Sequence, residues 1–122
     1  MSPQEALTRI EHLALTVADL PACAIREQIA SGINIVVQLS RLYQDNSRRV
    51  TRIVEIVGIQ GESVATRDIF EFKFSGLDAQ RRVLGLLEPT GVRPHVLERL
   101  AQMGEHVPLE TFVPTALIGD ES

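Results

Sequence analysis

Ile33-Asn34-Ile35-Val36-Val37-Gln38-Leu39 is the stretch on which the fold turns. Upstream of it, apolar residues recur at helical spacing. Within it, β-branched residues stand side by side in a run too short for a helix, which predicts a strand. Its nearly continuous apolar character predicts burial on both faces. Tyr43-Gln44-Asp45-Asn46-Ser47 then supplies a polar turn. Arg49 to Ile59 reads as a second strand, with Val50, Arg52, Val54 and Ile56 on one side and Thr51, Ile53, Glu55 and Val57 on the other. The pair predicts a β-hairpin. Gly58 and Gly61 bracket a further turn. Asp68 to Phe74 alternates Ile69, Glu71 and Lys73 against Phe70, Phe72 and Phe74, a pattern that makes the phenylalanines a core face, and Arg82 to Leu87 adds another strand. The second half of the chain is therefore expected to be antiparallel.

Working back toward the N-terminus, Ser2-Pro3-Gln4-Glu5 has the residue types of a capping box, with Pro3 where a missing N–H costs nothing. The helix it opens runs to about Thr16, with Ala6, Ile10, Leu13 and Val17 on its apolar face beside Leu7 and Ala14. Asp19-Leu20-Pro21 interrupts it. A second helix follows, with Ala22, Ile25 and Ile29 inward and Ser31-Gly32 as a left-handed cap. At the other end, Pro94 begins a short helix with Val96, Leu97 and Leu100 inside and Gly104 at its close, and Pro108 to Phe112 forms one more turn. The fold class is mixed α/β: two N-terminal helices, antiparallel strands with a hairpin, and short C-terminal helices. Residues 1–113 form one unit, and 114–122 are expected to be a flexible tail.

With 122 residues and 44% apolar content the chain can bury a core. Of its twelve basic residues eleven are arginine, leaving Lys73 as the one lysine. A P-loop needs a lysine at the end of a glycine-rich turn. Lys73 instead lies between Phe72 and Phe74 in a strand pattern, which excludes nucleotide hydrolysis of the P-loop kind by this chain alone. Cys23 has no partner for a disulfide, which fits an expected reducing, cytoplasmic setting. An isolated thiol on a helix is more often a small buried hydrophobe than a nucleophile. His12, His95 and His106 lack metal-ligand spacing. No apolar stretch approaches the ~20 residues of a membrane span, so any contact with a membrane is expected to come through partners. Net charge of −4 and a single tyrosine with four phenylalanines argue against nucleic acid.

The remaining charge of interest is Arg48-Arg49 with Arg52, since guanidinium groups fork onto phosphates and carboxylates. On a strand Arg48 and Arg52 share a face and Arg49 takes the other, so the three need not converge. Solvated charge near a hairpin turn explains them equally well.

Several ordered blocks carry a resemblance: Ser2-Pro3-Gln4-Glu5-Ala6-Leu7-Thr8-Arg9-Ile10-Glu11, Leu20-Pro21, Ala24-Ile25-Arg26-Glu27-Gln28-Ile29-Ala30-Ser31 and Ile35-Val36-Val37-Gln38, followed by Arg48-Arg49-Val50-Thr51, Glu55-Ile56-Val57-Gly58, Asp68-Ile69-Phe70 and Thr90-Gly91-Val92-Arg93-Pro94. Over residues 2 to 113 the chain resembles the C-terminal end of the CpaF/TadA-type ATPases of the type II/type IV secretion and pilus-assembly superfamily. The resemblance implies the C-terminal portion of a RecA-like P-loop ATPase domain, part of a hexameric ring under the inner membrane. In that family the P-loop, acidic boxes and histidine box precede such a segment, and the histidine box ends just before a Ser-Pro like Ser2-Pro3. No catalytic residue carries over. ATP and magnesium are expected only in the full-length parent, with no cofactor bound by this segment. Expected partners are the N-terminal part of the ATPase, neighbouring ring subunits, and through them the inner-membrane platform proteins. Arg26, Gln28, Arg48, Arg49 and Arg52 are the candidate subunit or nucleotide-adjacent contacts. In isolation, uncovered Ile35 and Val37 predict a homo-oligomer or a marginal monomer. The alternatives are a standalone interaction or regulatory module derived from such an ATPase and a small cysteine-dependent enzyme.

Overall fold

A computed structural model of the chain describes residues 2–17 and 19–114. The order is α1 (Pro3–Val17), α2 (Ala22–Gly32), β1 (Ile35–Arg41), β2 (Arg48–Gln60), β3 (Ser63–Leu77), β4 (Val83–Pro89), α3 (Val96–Gln102) and a 3₁₀ turn (Leu109–Phe112). The four strands form one antiparallel sheet in chain order, so the mixed α/β class and the antiparallel pairing are as expected. The expected tail lies outside the described residues apart from Pro114. No helix among the described residues is long and apolar enough to cross a membrane.

α1 starts on the capping box: the Glu5 N–H donates to Ser2 Oγ at 3.1 Å and the Ser2 N–H to Glu5 Oε1 at 2.6 Å. Its inward row is Pro3, Leu7 and Ala14, and Leu7 joins Ile25 and Ile29 of α2, Ile56 of β2 and Val64 of β3 in the main core. This corrects the expected inward face. Ile10, Leu13 and Val17 point out, with Val17 86% exposed. Both rows of α1 are apolar, and α2 selects between them, because Arg26 of α2 reaches Glu11 at 2.9 Å on the flank of the Leu7 row. Gly32 also departs from expectation: it has no positive φ, and α2 ends instead where extended Ile33 donates its N–H to Ile29 O.

Successive residues of β2 serve opposite layers. Val54 and Ile56 are buried, Ile56 beneath α1 and α2, while Glu55 between them meets the start of α3 on the other face. The sheet is thus covered by α1 and α2 on one side and by α3 with the 3₁₀ turn on the other, where Phe112 stacks at a tilt on Phe70, centroids 5.9 Å apart. The pairing register skips Thr51, Ile69, Val57 and Ser75, irregularities that increase local twist. Gly58 belongs to one of them, inside β2 at φ 143°, and only Gly61 makes the turn expected of both glycines.

Two strand expectations change. The phenylalanine row is not uniformly core: Phe70 and Phe72 are half-buried, and Phe74 is exposed where β3 runs beyond its cover. β1 is not buried on both faces. It is an edge strand, and exposure climbs along one of its faces from Ile35 (37%) through Val37 (48%) to Leu39 (65%). The physical reason is the position of α3, whose Arg99 reaches Asn34 just before β1 at 3.3 Å and leaves the far end of the strand uncovered. Gly85 of β4 is required by packing rather than by φ, because a Cβ there would sit 2.5 Å from Lys73 O and 2.6 Å from the Phe72 ring.

Candidate functional site

The β1–β2 loop is built around Asp45. Its Oδ1 accepts the Ser47 hydroxyl at 2.6 Å and the Ser47 N–H at 2.9 Å, and its Oδ2 accepts the Val83 N–H at 2.8 Å. An Asx-type turn thereby ties the hairpin to the start of β4. The Ser47 hydroxyl first, then the Val83 and Ser47 N–H groups, hold the Asp45 carboxyl at about 2, below its ordinary 3.8, with Arg49 adding attraction. A carboxyl with a depressed folded-state pKa contributes stability that is complete above the unfolded value and is lost as pH falls through the folded one. The destabilisation caused by Asp45→Asn should therefore be full at pH above about 4 and shrink between about 4 and 2. Urea midpoints of both proteins across that range test it, and a gap that stays constant with pH would refute the role given to Asp45.

The candidate arginines separate. Arg49 donates from Nη2 to Val83 O at 2.8 Å, lies 3.9 Å from Asp45, and sits over the Phe72 ring at 5.7 Å. Arg52 donates from Nη2 to both oxygens of Asp68, at 2.7 and 2.8 Å. Arg26 is held by Glu11. These three brace the fold, and at their partial exposure such pairs are worth no more than about 1 kcal/mol each. Gln28 is exposed on α2. Arg48 is exposed on the face opposite Arg49 and pairs across the hairpin with Arg41. The five residues do not converge on one point.

Glu55 is the buried carboxylate to which the sequence assigned no role beyond a strand position. It is 3% exposed, and its two oxygens accept the His95 and Val96 N–H groups at 2.9 Å each, with Arg67 at 3.5 Å. A strand carboxylate thus caps α3 from across the layer, satisfying N–H groups that the helix cannot bond itself. The available signal was an acid set between two buried β-branched residues, Val54 and Ile56.

Cys23 is exposed on α2, contrary to the buried reading. His12 lies in α1, His95 at the start of α3 and His106 beyond it, and no group of three or more metal-ligating side chains assembles among the described residues. The concave surfaces are shallow. One, of about 220 Å³, runs between Ser2, Pro3 and Ala6 of the α1 start and Val36 to Leu39 of β1. Another, of about 310 Å³, is lined by Leu39, Ser40, Arg41 and Arg48. No protein-family model and no curated protein matches this chain.

Proposed function

We propose that this chain is the C-terminal part of a hexameric ATPase that powers type II/type IV secretion or assembly of tight-adherence pili, and that it is a structural element rather than an enzyme by itself. One observation supports this beyond the ordered sequence blocks: the molecule leaves apolar side chains uncovered on both faces beside the β1 edge. On the α3 side Ile35, Val37 and Leu39 of the edge strand are exposed. On the other side α1 exposes Ile10, Leu13 and Val17. A groove shared by Ser2, Pro3 and Ala6 with Val36 to Leu39 lies at the edge between them. Ala6, Ile10, Leu13 and Val17 follow the four-three-four spacing of a helix-packing seam. Burying each large side chain recovers about 1.5–3 kcal/mol, and an open strand edge is a template for another strand.

The occupant we assign is the P-loop-bearing part of the same RecA-like domain, which would extend the sheet past β1 and pack on α1. That part binds ATP and magnesium. This chain contributes the outer strands and subunit-facing surfaces, and it reaches the inner-membrane platform from the cytoplasmic side through the assembled ring.

The test is complementation. A CpaF/TadA-type ATPase truncated after its histidine box is co-expressed with this chain or, as the positive control, with its own C-terminal part. Co-purification and recovered ATP turnover with this chain are expected. Recovery with the control alone would overturn the reading, as would ATP turnover by the pure chain.

A further inference from the structure

Arg41 closes β1 and Arg48 opens β2, and the two are direct cross-strand partners. Opposed residues carry their Cβ atoms roughly 4.5–5.5 Å apart, and like charges so placed destabilise a sheet. The other arginines of the strands are neutralised: Arg49 by Asp45 at 3.9 Å, Arg52 by Asp68 at 2.7 Å and Arg67 by Glu55 at 3.5 Å. Neither Arg41 nor Arg48 has a side-chain hydrogen bond, ion pair or ring contact among the described residues. Both are exposed, in a chain whose net charge is −4. Together they border the concavity of about 310 Å³ beside Leu39.

We propose that the Arg41–Arg48 pair is a binding site for a phosphate group. Two guanidiniums present a double positive charge and two planar forks of N–H donors. A phosphate monoester matches that with close to two negative charges and three acceptor oxygens, whereas a single carboxylate neutralises one charge of the two. Leu39, 65% exposed on the same concavity, accommodates an apolar substituent of the phosphate. The group therefore comes from a soluble phosphate monoester or from a phospholipid whose headgroup is itself a phosphate monoester, as in phosphatidic acid. The assignment rests on the hairpin alone and stands or falls separately from the ATPase reading.

Inorganic phosphate is titrated into the full chain while the arginine Nε–H resonances are followed by NMR. Saturable shifts confined to Arg41 and Arg48 are expected, with affinity roughly tenfold weaker in Arg41→Gln or Arg48→Gln and lost in the double variant. The two side chains make no hydrogen bond, ion pair or ring contact among the described residues, so the double variant should melt no lower than the native chain, which separates lost binding from lost fold. Co-sedimentation with vesicles containing phosphatidic acid, against phosphatidylcholine vesicles, identifies the source: pelleting abolished by the double variant assigns a lipid headgroup, and absence of pelleting alongside the shifts assigns a soluble phosphate. Absence of shifts, equal shifts in native and double-variant chains, or self-association through these arginines that phosphate does not compete with would overturn the proposal.

Discussion

Replacing Glu55 by alanine is expected to lower the unfolding free energy by about 3 kcal/mol and to loosen α3 from the sheet. The carboxylate is almost wholly buried and holds the N–H groups of both His95 and Val96. Truncation leaves those two donors facing the sheet without an acceptor and removes the charge opposite Arg67. α3 has only seven residues and no buried side chain of its own, so little else anchors it. Glu55→Gln keeps the shape and one acceptor oxygen, and its cost should be smaller, about 1–2 kcal/mol. Denaturant unfolding measures the loss, and hydrogen exchange at the His95 and Val96 amides locates it. Unchanged protection of those two amides in Glu55→Ala would show that something else holds α3.

The second large effect separates the two apolar rows of α1. Leu7→Ala should cost about 3 kcal/mol, within the usual range for emptying a buried leucine site, because Leu7 is 2% exposed at the junction of α2, β2 and β3. Leu13→Ala, at a site 62% exposed, should change the isolated chain's stability by no more than about 0.5 kcal/mol. On the ATPase reading the order of importance inverts on assembly: Leu13→Ala weakens co-purification with the P-loop part, while the fold is intact. Equal destabilisation by the two substitutions in the isolated chain would mean that α1 packs through the other row.

Much of the architecture was legible in local pattern. The capping box of Ser2 and Glu5, the Ile25 and Ile29 row of α2, the hairpin of β1 and β2, and the 3₁₀ turn before Val113 each follow from interactions within a few residues of chain, which is why short-range chemistry sufficed. Strand ends were less legible. β3 extends from Ser63 to Leu77, well beyond Asp68 to Phe74, because irregularities at Ile69 and Ser75 absorb breaks in the two-residue period. The candidate site was the least legible. Arg49 found the Val83 carbonyl, Arg52 found Asp68 on the next strand, Arg48 found Arg41, and the Glu55 cap joins residues forty positions apart.

The amino-acid sequence by itself determined which segments become helix and strand, that the sheet is antiparallel, and that no lysine-tipped glycine turn is present to grip a triphosphate. Only the tertiary structure decided which of two apolar rows of α1 is inside, that β1 stands at an edge with one face open, and which arginines are neutralised. The reason is physical: periodicity records that a face is apolar, but burial and charge pairing depend on what arrives opposite that face. Most of those partners come from other strands and helices.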